Sequence, residues 1–205
     1  MPDTREILDK LQSLANDYFA IAIFWHIAFY ILLALLFTKW APSNRLFGIL
    51  VSLPLLSVAL FAWISGNPFN GALFSLLAIL VFVFGLKTSP KSVATSAFPF
   101  WIMGVLMIIF GLVYPHFISG GGFIRYFYAT PLGLVPCPTL SLLIGFMLLY
   151  NGFESGPMSL VFIVFGLFYG FFGVFKLGVF VDVGLIIGAL TLLVKYILMV
   201  KNPVG

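Results

Sequence analysis

The 205 residues are 62% hydrophobic and 8% charged, with 25 phenylalanines, more apolar surface than a water-soluble domain can hide. The net charge of +4 is spread as single lysines and arginines between apolar runs, which excludes a basic stripe for nucleic acid and fits juxtamembrane anchoring. One cysteine excludes an intrachain disulfide, and no CxxC or HExxH spacing offers a zinc site, so no metal or cofactor is implied.

With lipid as its solvent, the chain reads as an all-α polytopic membrane helix bundle of about seven transmembrane helices, preceded by a short amphipathic helix. The domain division is 1–17 for the interfacial helix and 18–201 for the bundle. Asp3–Ala15 has Asp3 as N-cap, Glu6 as its capping-box partner, and Ile7, Leu8, Leu11, Leu14 and Ala15 on one face. Such a helix lies in the membrane interface and is retained rather than cleaved, because the N-terminus lacks a basic n-region.

The apolar runs then predict spans at about 18–38, 46–64, 69–86, 98–114, 132–150, 158–175 and 179–200, each of about the length a ~30 Å hydrocarbon core demands. Lys39 and Trp40 close the first, Arg45 opens the second, and Ser65-Gly66-Asn67-Pro68 turns the chain into the third. Between spans four and five lie His116, a Gly120-Gly121-Gly122 hinge and the aromatics Phe123, Tyr126, Phe127 and Tyr128 around Arg125, a composition suited to headgroups. Lys39, Arg45, Lys87, Lys91, Lys195 and Lys201 fall on the C-terminal face, against Arg5, Lys10, Arg125 and Lys176 on the other, which favours a cytoplasmic C-terminus. Glycines at 104 and 111, at 166, 170 and 173, and at 184 and 188 mark close packing among spans four to seven, or against a second copy or a membrane-complex partner.

Pro136-Cys137-Pro138 opens span five. Each proline pushes its predecessor out of the α region, so the expected helix start is Pro138 with Cys137 as cap. A helix from there is too short for the membrane, which predicts a discontinuous helix whose free N–H groups face a polar cavity. Cys137, Ser141 and Gly145 form one small stripe, readable as a pathway wall or as a packing surface.

The remaining polar outliers gather at the N-terminal face. Lys176 and Asp182 flank a tight reversal at spacing that permits a pair, and His26 lies about 12 Å inside span one. The candidate solute-binding or pathway residues are therefore Cys137, Thr139, Ser141, Asp182, Lys176, His26 and Arg125. No catalytic constellation can be assembled from them.

Gly133-Leu-Val-Pro-Cys-Pro-Thr139, Leu177-Gly-Val-Phe-Val-Asp-Val-Gly-Leu185 and Ser65-Gly-Asn-Pro-Phe-Asn-Gly-Ala72 resemble signatures of a prokaryotic multi-pass membrane family, domain of unknown function six thousand and sixty-four. The likeness is carried by spans five to seven and departs near Phe19–Trp25. It implies a cell-membrane protein with Asp or Cys at position 137 and an acid at Asp182, and it brings no activity with it. The expected function is binding or conducting a small solute or ion through a cavity at the N-terminal face. The alternatives are a structural or accessory subunit and, third, a membrane-embedded enzyme.

Overall fold

The computed structural model describes residues 3–36, 38, 39, 41–118, 120 and 122–201. Trp40 and Gly121, assigned above to a span end and a hinge, lie outside them. The described chain is all-α, and five of its helical stretches are long and apolar enough to cross a membrane: Phe19–Leu36, Asn44–Ile64, Pro68–Lys87, Gly156–Lys176 and Phe180–Lys201. Two further apolar helices, Phe100–Leu112 and Pro136–Leu149, are shorter.

Helix α1 (Thr4–Asp17) begins as expected, with the Asp3 carboxylate accepting from the Thr4 amide at 2.7 Å. The capping box does not form. Glu6 pairs with Lys10 at 2.8 Å, one turn further on. The apolar face does form, and Leu11, Leu14 and Ala15 are buried. Two hydrogen bonds lay the helix across one end of the bundle: Thr4 Oγ1 to the Lys176 carbonyl at 3.3 Å, and Asn16 Nδ2 to the Phe117 carbonyl at 3.0 Å.

After α2 (Phe19–Leu36), α3 (Asn44–Leu50) and α4 (Ser52–Ile64) continue one another with a turn at Val51, and α5 (Pro68–Lys87) returns along them. Their contact is made backbone to backbone, since a Cβ on Gly85 would stand 2.7 Å from the Gly48 carbonyl carbon. Close glycine packing is thus not confined to the C-terminal half.

Helix α6 (Phe100–Leu112) and, after the single turn α7 (Tyr126–Ala129), helix α8 (Pro136–Leu149) are antiparallel and pressed together. A Cβ at Gly104 would reach the Leu149 nitrogen at 2.5 Å, one at Gly145 the Ile108 nitrogen at 2.7 Å, and one at Gly111 the Leu142 nitrogen at 2.6 Å. The Gly145 end of the small-residue stripe therefore serves packing. Helix α8 is the centre of the molecule, and every residue from Ala129 to Tyr150 is buried. At 14 residues it spans about 21 Å, short of a ~30 Å core. Helices α9 (Gly156–Phe171) and α10 (Val183–Lys201) pack around it, joined by a π-helical turn at Phe172–Lys176 and a 3-10 turn at Phe180–Asp182.

Span five is shortened as expected, but its start differs. The helix begins at Pro136, with extended Val135 as its cap and Pro136 and Pro138 both inside the first turn. Proline carries no N–H, so the two prolines remove two of the four amides that a helix start leaves unpaired. That is how this terminus can be buried where a polar cavity was expected. The preceding turn is held by Thr139, whose hydroxyl accepts from the Gly133 amide at 2.9 Å and donates to the Val135 carbonyl at 2.8 Å.

Gly133 itself has φ +69°, and a Cβ there would overlap the Trp25 indole. That ring cannot drift freely, because its Nε1 donates to Ser57 Oγ at 3.0 Å. Gly133→Ala is expected to lose about 2–4 kcal/mol of stability, combining left-handed strain with overpacking. Thermal or denaturant unfolding in detergent measures it, with Gly120→Ala, open on every side at φ +72°, as the strain-only control.

Candidate functional site

Three polar assemblies sit within the apolar bundle, and the sequence pointed to parts of the first two. The first joins the segment just after α6, the first turn of α8 and the 3-10 turn before α10. Asp182, 1% exposed, accepts a hydrogen bond from the Tyr114 hydroxyl on Oδ1 at 2.5 Å and one from the Cys137 thiol on Oδ2 at 3.2 Å. The carboxyl lies against bare backbone of the π-helical turn, where a Cβ on Gly173 would collide with Oδ2. Isolated π turns recur at functional sites because they re-aim a helix to fit a local requirement. Here the requirement is room for an aspartate side chain between helices.

Lys176 is not part of this assembly, contrary to the pairing its spacing allowed. It is exposed at the end of the π turn, and the one salt bridge among the described residues is Lys10–Glu6. The physical reason is the direction of the reversal: Gly178, at φ +71°, and the 3-10 turn carry Asp182 inward while Lys176 stays at the rim. A buried carboxyl so placed needs donors, and a phenol and a thiol supply them.

The second assembly is His26, Thr130 and the end of α6. His26 is 1% exposed, with Nδ1 2.8 Å from the Ala22 carbonyl and Nε2 3.1 Å from the Leu112 carbonyl and 3.0 Å from Thr130 Oγ1. Thr130 also donates to Leu112 O at 2.8 Å. The imidazole thus ties α2, α6 and the turn after α7 together through the carbonyl that the end of α6 leaves open. Leu112 and Tyr114, two residues apart, bring this cluster beside the Asp182 cluster.

The third assembly lies at the opposite end of α8. Lys195, placed by sequence among the interfacial lysines, is 3% exposed. Its ammonium donates to Ser96 Oγ at 2.5 Å and to the Met147 and Leu148 carbonyls at 3.0 and 3.1 Å, with the Phe100 ring 6.0 Å away. Three acceptors meet three N–H groups, and two of them are last-turn carbonyls of α8. Asp182 and Lys195, about 20 Å apart along α10, therefore bracket the short helix, the acid beside its positive end and the base on its negative end.

The other predicted residues fall outside a shared site. Thr139 holds the 131–135 turn, and Ser141 donates to its own helix at Cys137 O, 2.8 Å. Arg125 is half-buried, its guanidinium 5.8 Å from the centre of the Phe19 ring. No cavity joins Cys137 to Asp182, since the two are already in hydrogen-bond contact. Two grooves lie elsewhere, one of about 460 Å³ between α1 and Ile64-Ser65 and one of about 450 Å³ along Phe168–Lys176.

Tyr114, Thr130 and Lys195 were not singled out by sequence. A tyrosine at a span end reads as an interfacial ring, and a threonine before a proline reads as a turn. Lys195 did carry a signal, since six residues, or about 9 Å of helix, separate it from the terminal anchor Lys201. Comparison of the chain with protein-family models, with curated proteins and with solved structures finds no match.

Proposed function

We propose that this integral membrane protein binds a small solute or ion at the Asp182 cluster, near the end of the bundle that α1 crosses. The observation that carries the reading is an ionisable side chain, 1% exposed within an apolar span, whose partners are a phenol and a thiol and no cation among the described residues. The π turn against it and the neighbouring His26 cluster support the same place. Membership of the prokaryotic membrane family that the 133–139 and 177–185 segments resemble belongs to this proposal. So does a cytoplasmic C-terminus, although burial of Lys195 narrows the basic excess on that face from six against four to five against four.

A structural or accessory role is favoured by a different observation, the way Asp182 and Lys195 are both spent on the two ends of α8. The sole cysteine separates the two readings. Native protein in vesicles is treated with membrane-permeant and membrane-impermeant maleimides while pH and the cations present are varied. For the solute site, Cys137 labels slowly, the rate changes with at least one cation or with pH, and Asp182→Asn speeds it about ten-fold or more by removing a charge-assisted hydrogen bond that closes the site. A thiol that stays unreactive to both reagents, in native protein and Asp182→Asn alike, overturns the solute site and leaves the accessory role.

A further inference from the structure

We infer that the aromatic groove at the end of α9 is a binding site for an anionic phospholipid, with its acyl chain along the phenylalanines and its phosphate at Lys176. The groove of about 450 Å³ is lined by Phe168, Phe171, Phe172, Phe175 and Lys176. Its walls are two i,i+4 aromatic pairs, Phe168 with Phe172 at 6.1 Å and 18°, and Phe171 with Phe175 at 5.9 Å and 20°. Near-parallel rings one turn apart make two ridges with a channel between them, and Phe175 stays 78% exposed. Such a channel fits an extended hydrocarbon chain.

The charge at its end chooses the headgroup. Lys176 closes the apolar stretch Gly156–Lys176, where a membrane passes from hydrocarbon to headgroups, and its side chain is exposed. Arg5, exposed and next in the chain to Thr4, whose hydroxyl donates to the Lys176 carbonyl, brings a second cation to the same end of the bundle. Of the acids nearest on α1, Glu6 is paired with Lys10, while Asp3 caps the Thr4 amide and keeps its charge, so Lys176 and Arg5 together outweigh it and leave the rim net positive. Two basic groups over an apolar channel suit a phosphate diester carrying net negative charge. This site is independent of the Asp182 cluster, whose carboxyl faces the interior behind Gly173.

The test is electron paramagnetic resonance of the full chain reconstituted with spin-labelled phosphatidylglycerol or phosphatidylcholine, reading the motionally restricted fraction. Native protein is expected to prefer phosphatidylglycerol. Lys176→Gln should lower that preference roughly five-fold, the weight of one basic contact at a membrane surface, and Lys176→Arg should keep it. Lys91→Gln, an exposed lysine of the 88–99 connection, should leave it unchanged. Folding is not at risk at Lys176, whose side chain is exposed, and a melting curve confirms it. Equal retention of the two lipids by native protein, or equal losses from Lys176→Gln and Lys91→Gln, overturns the site.

Discussion

Gly173→Ala is expected to destabilise the protein by about 3 kcal/mol, and that cost is expected to fall below about 1 kcal/mol when Asp182 is alanine as well. The added methyl carbon has no room beside Asp182 Oδ2 in the native arrangement. The carboxyl cannot step aside cheaply, because Tyr114 and Cys137 hold its two oxygens in place. Moving it would strand a buried phenol and thiol, each an unpaired polar group in an apolar bundle. Without the carboxylate only the Cβ of residue 182 stays close, at 3.0 Å, which a shift of a few tenths of an ångström relieves, and alanine is then the better helix former than glycine. Unfolding of the four proteins of the cycle in one detergent gives the coupling directly. Additive costs would mean that the π turn tolerates the methyl for reasons unrelated to Asp182.

Lys195 carries the second large effect. Lys195→Met preserves most of the volume and is expected to cost about 2 kcal/mol, with Lys195→Ala about 1 kcal/mol worse for the added cavity. Removing the ammonium returns the free energy of burying a charge, which offsets part of the loss. What remains is the exposure of the Met147 and Leu148 carbonyls without that donor in the protein interior, while Ser96 Oγ keeps the Asn151 amide at 2.8 Å. Methionine separates the two contributions because it fills space and donates nothing. If Lys195→Met proves as stable as the native chain, the capping of α8 is energetically idle and the bracket formed with Asp182 has no mechanical meaning.

That bracket gives α8 its character. A helix of 14 residues is too short to reach both headgroup layers, so its ends lie where the medium cannot solvate them. At the first end prolines remove amides and Thr139 ties down the incoming turn; at the last end Lys195 meets the carbonyls. The two charged residues come from α10 and the 3-10 turn that leads into it, and α10 runs parallel to α8. Any displacement of α8 along its axis would break one contact as it tightened the other, so the arrangement fixes its depth.

Much of this architecture is legible in the amino-acid sequence because lipid imposes a simple rule. A segment in hydrocarbon must satisfy its own backbone, so long apolar runs become helices whatever their neighbours do. The boundaries at Pro68, Lys87, Lys176 and Lys201 follow from prolines and charges. The shortened helix after Val135 follows from two prolines whose local geometry acts before any tertiary contact. Asp182, Cys137 and His26 stand out for the same reason, since polar groups in such runs are costly.

Sequence determined which residues are unusual, and tertiary structure decided what they meet. Lys176 and Asp182 are close in the chain and part company because a left-handed Gly178 turns one inward and leaves the other at the rim. Tyr114 and Asp182 are 68 positions apart and share a hydrogen bond, as do Ser96 and Lys195 at a separation of 99. Side-chain pairing across a membrane bundle depends on helix rotation and depth, which are set by where glycine lets two backbones touch. No local pattern encodes that. The proline-flanked cysteine is conspicuous in the sequence, but its role as thiol donor to a buried acid comes from the packing of the ends of α6, α8 and α10.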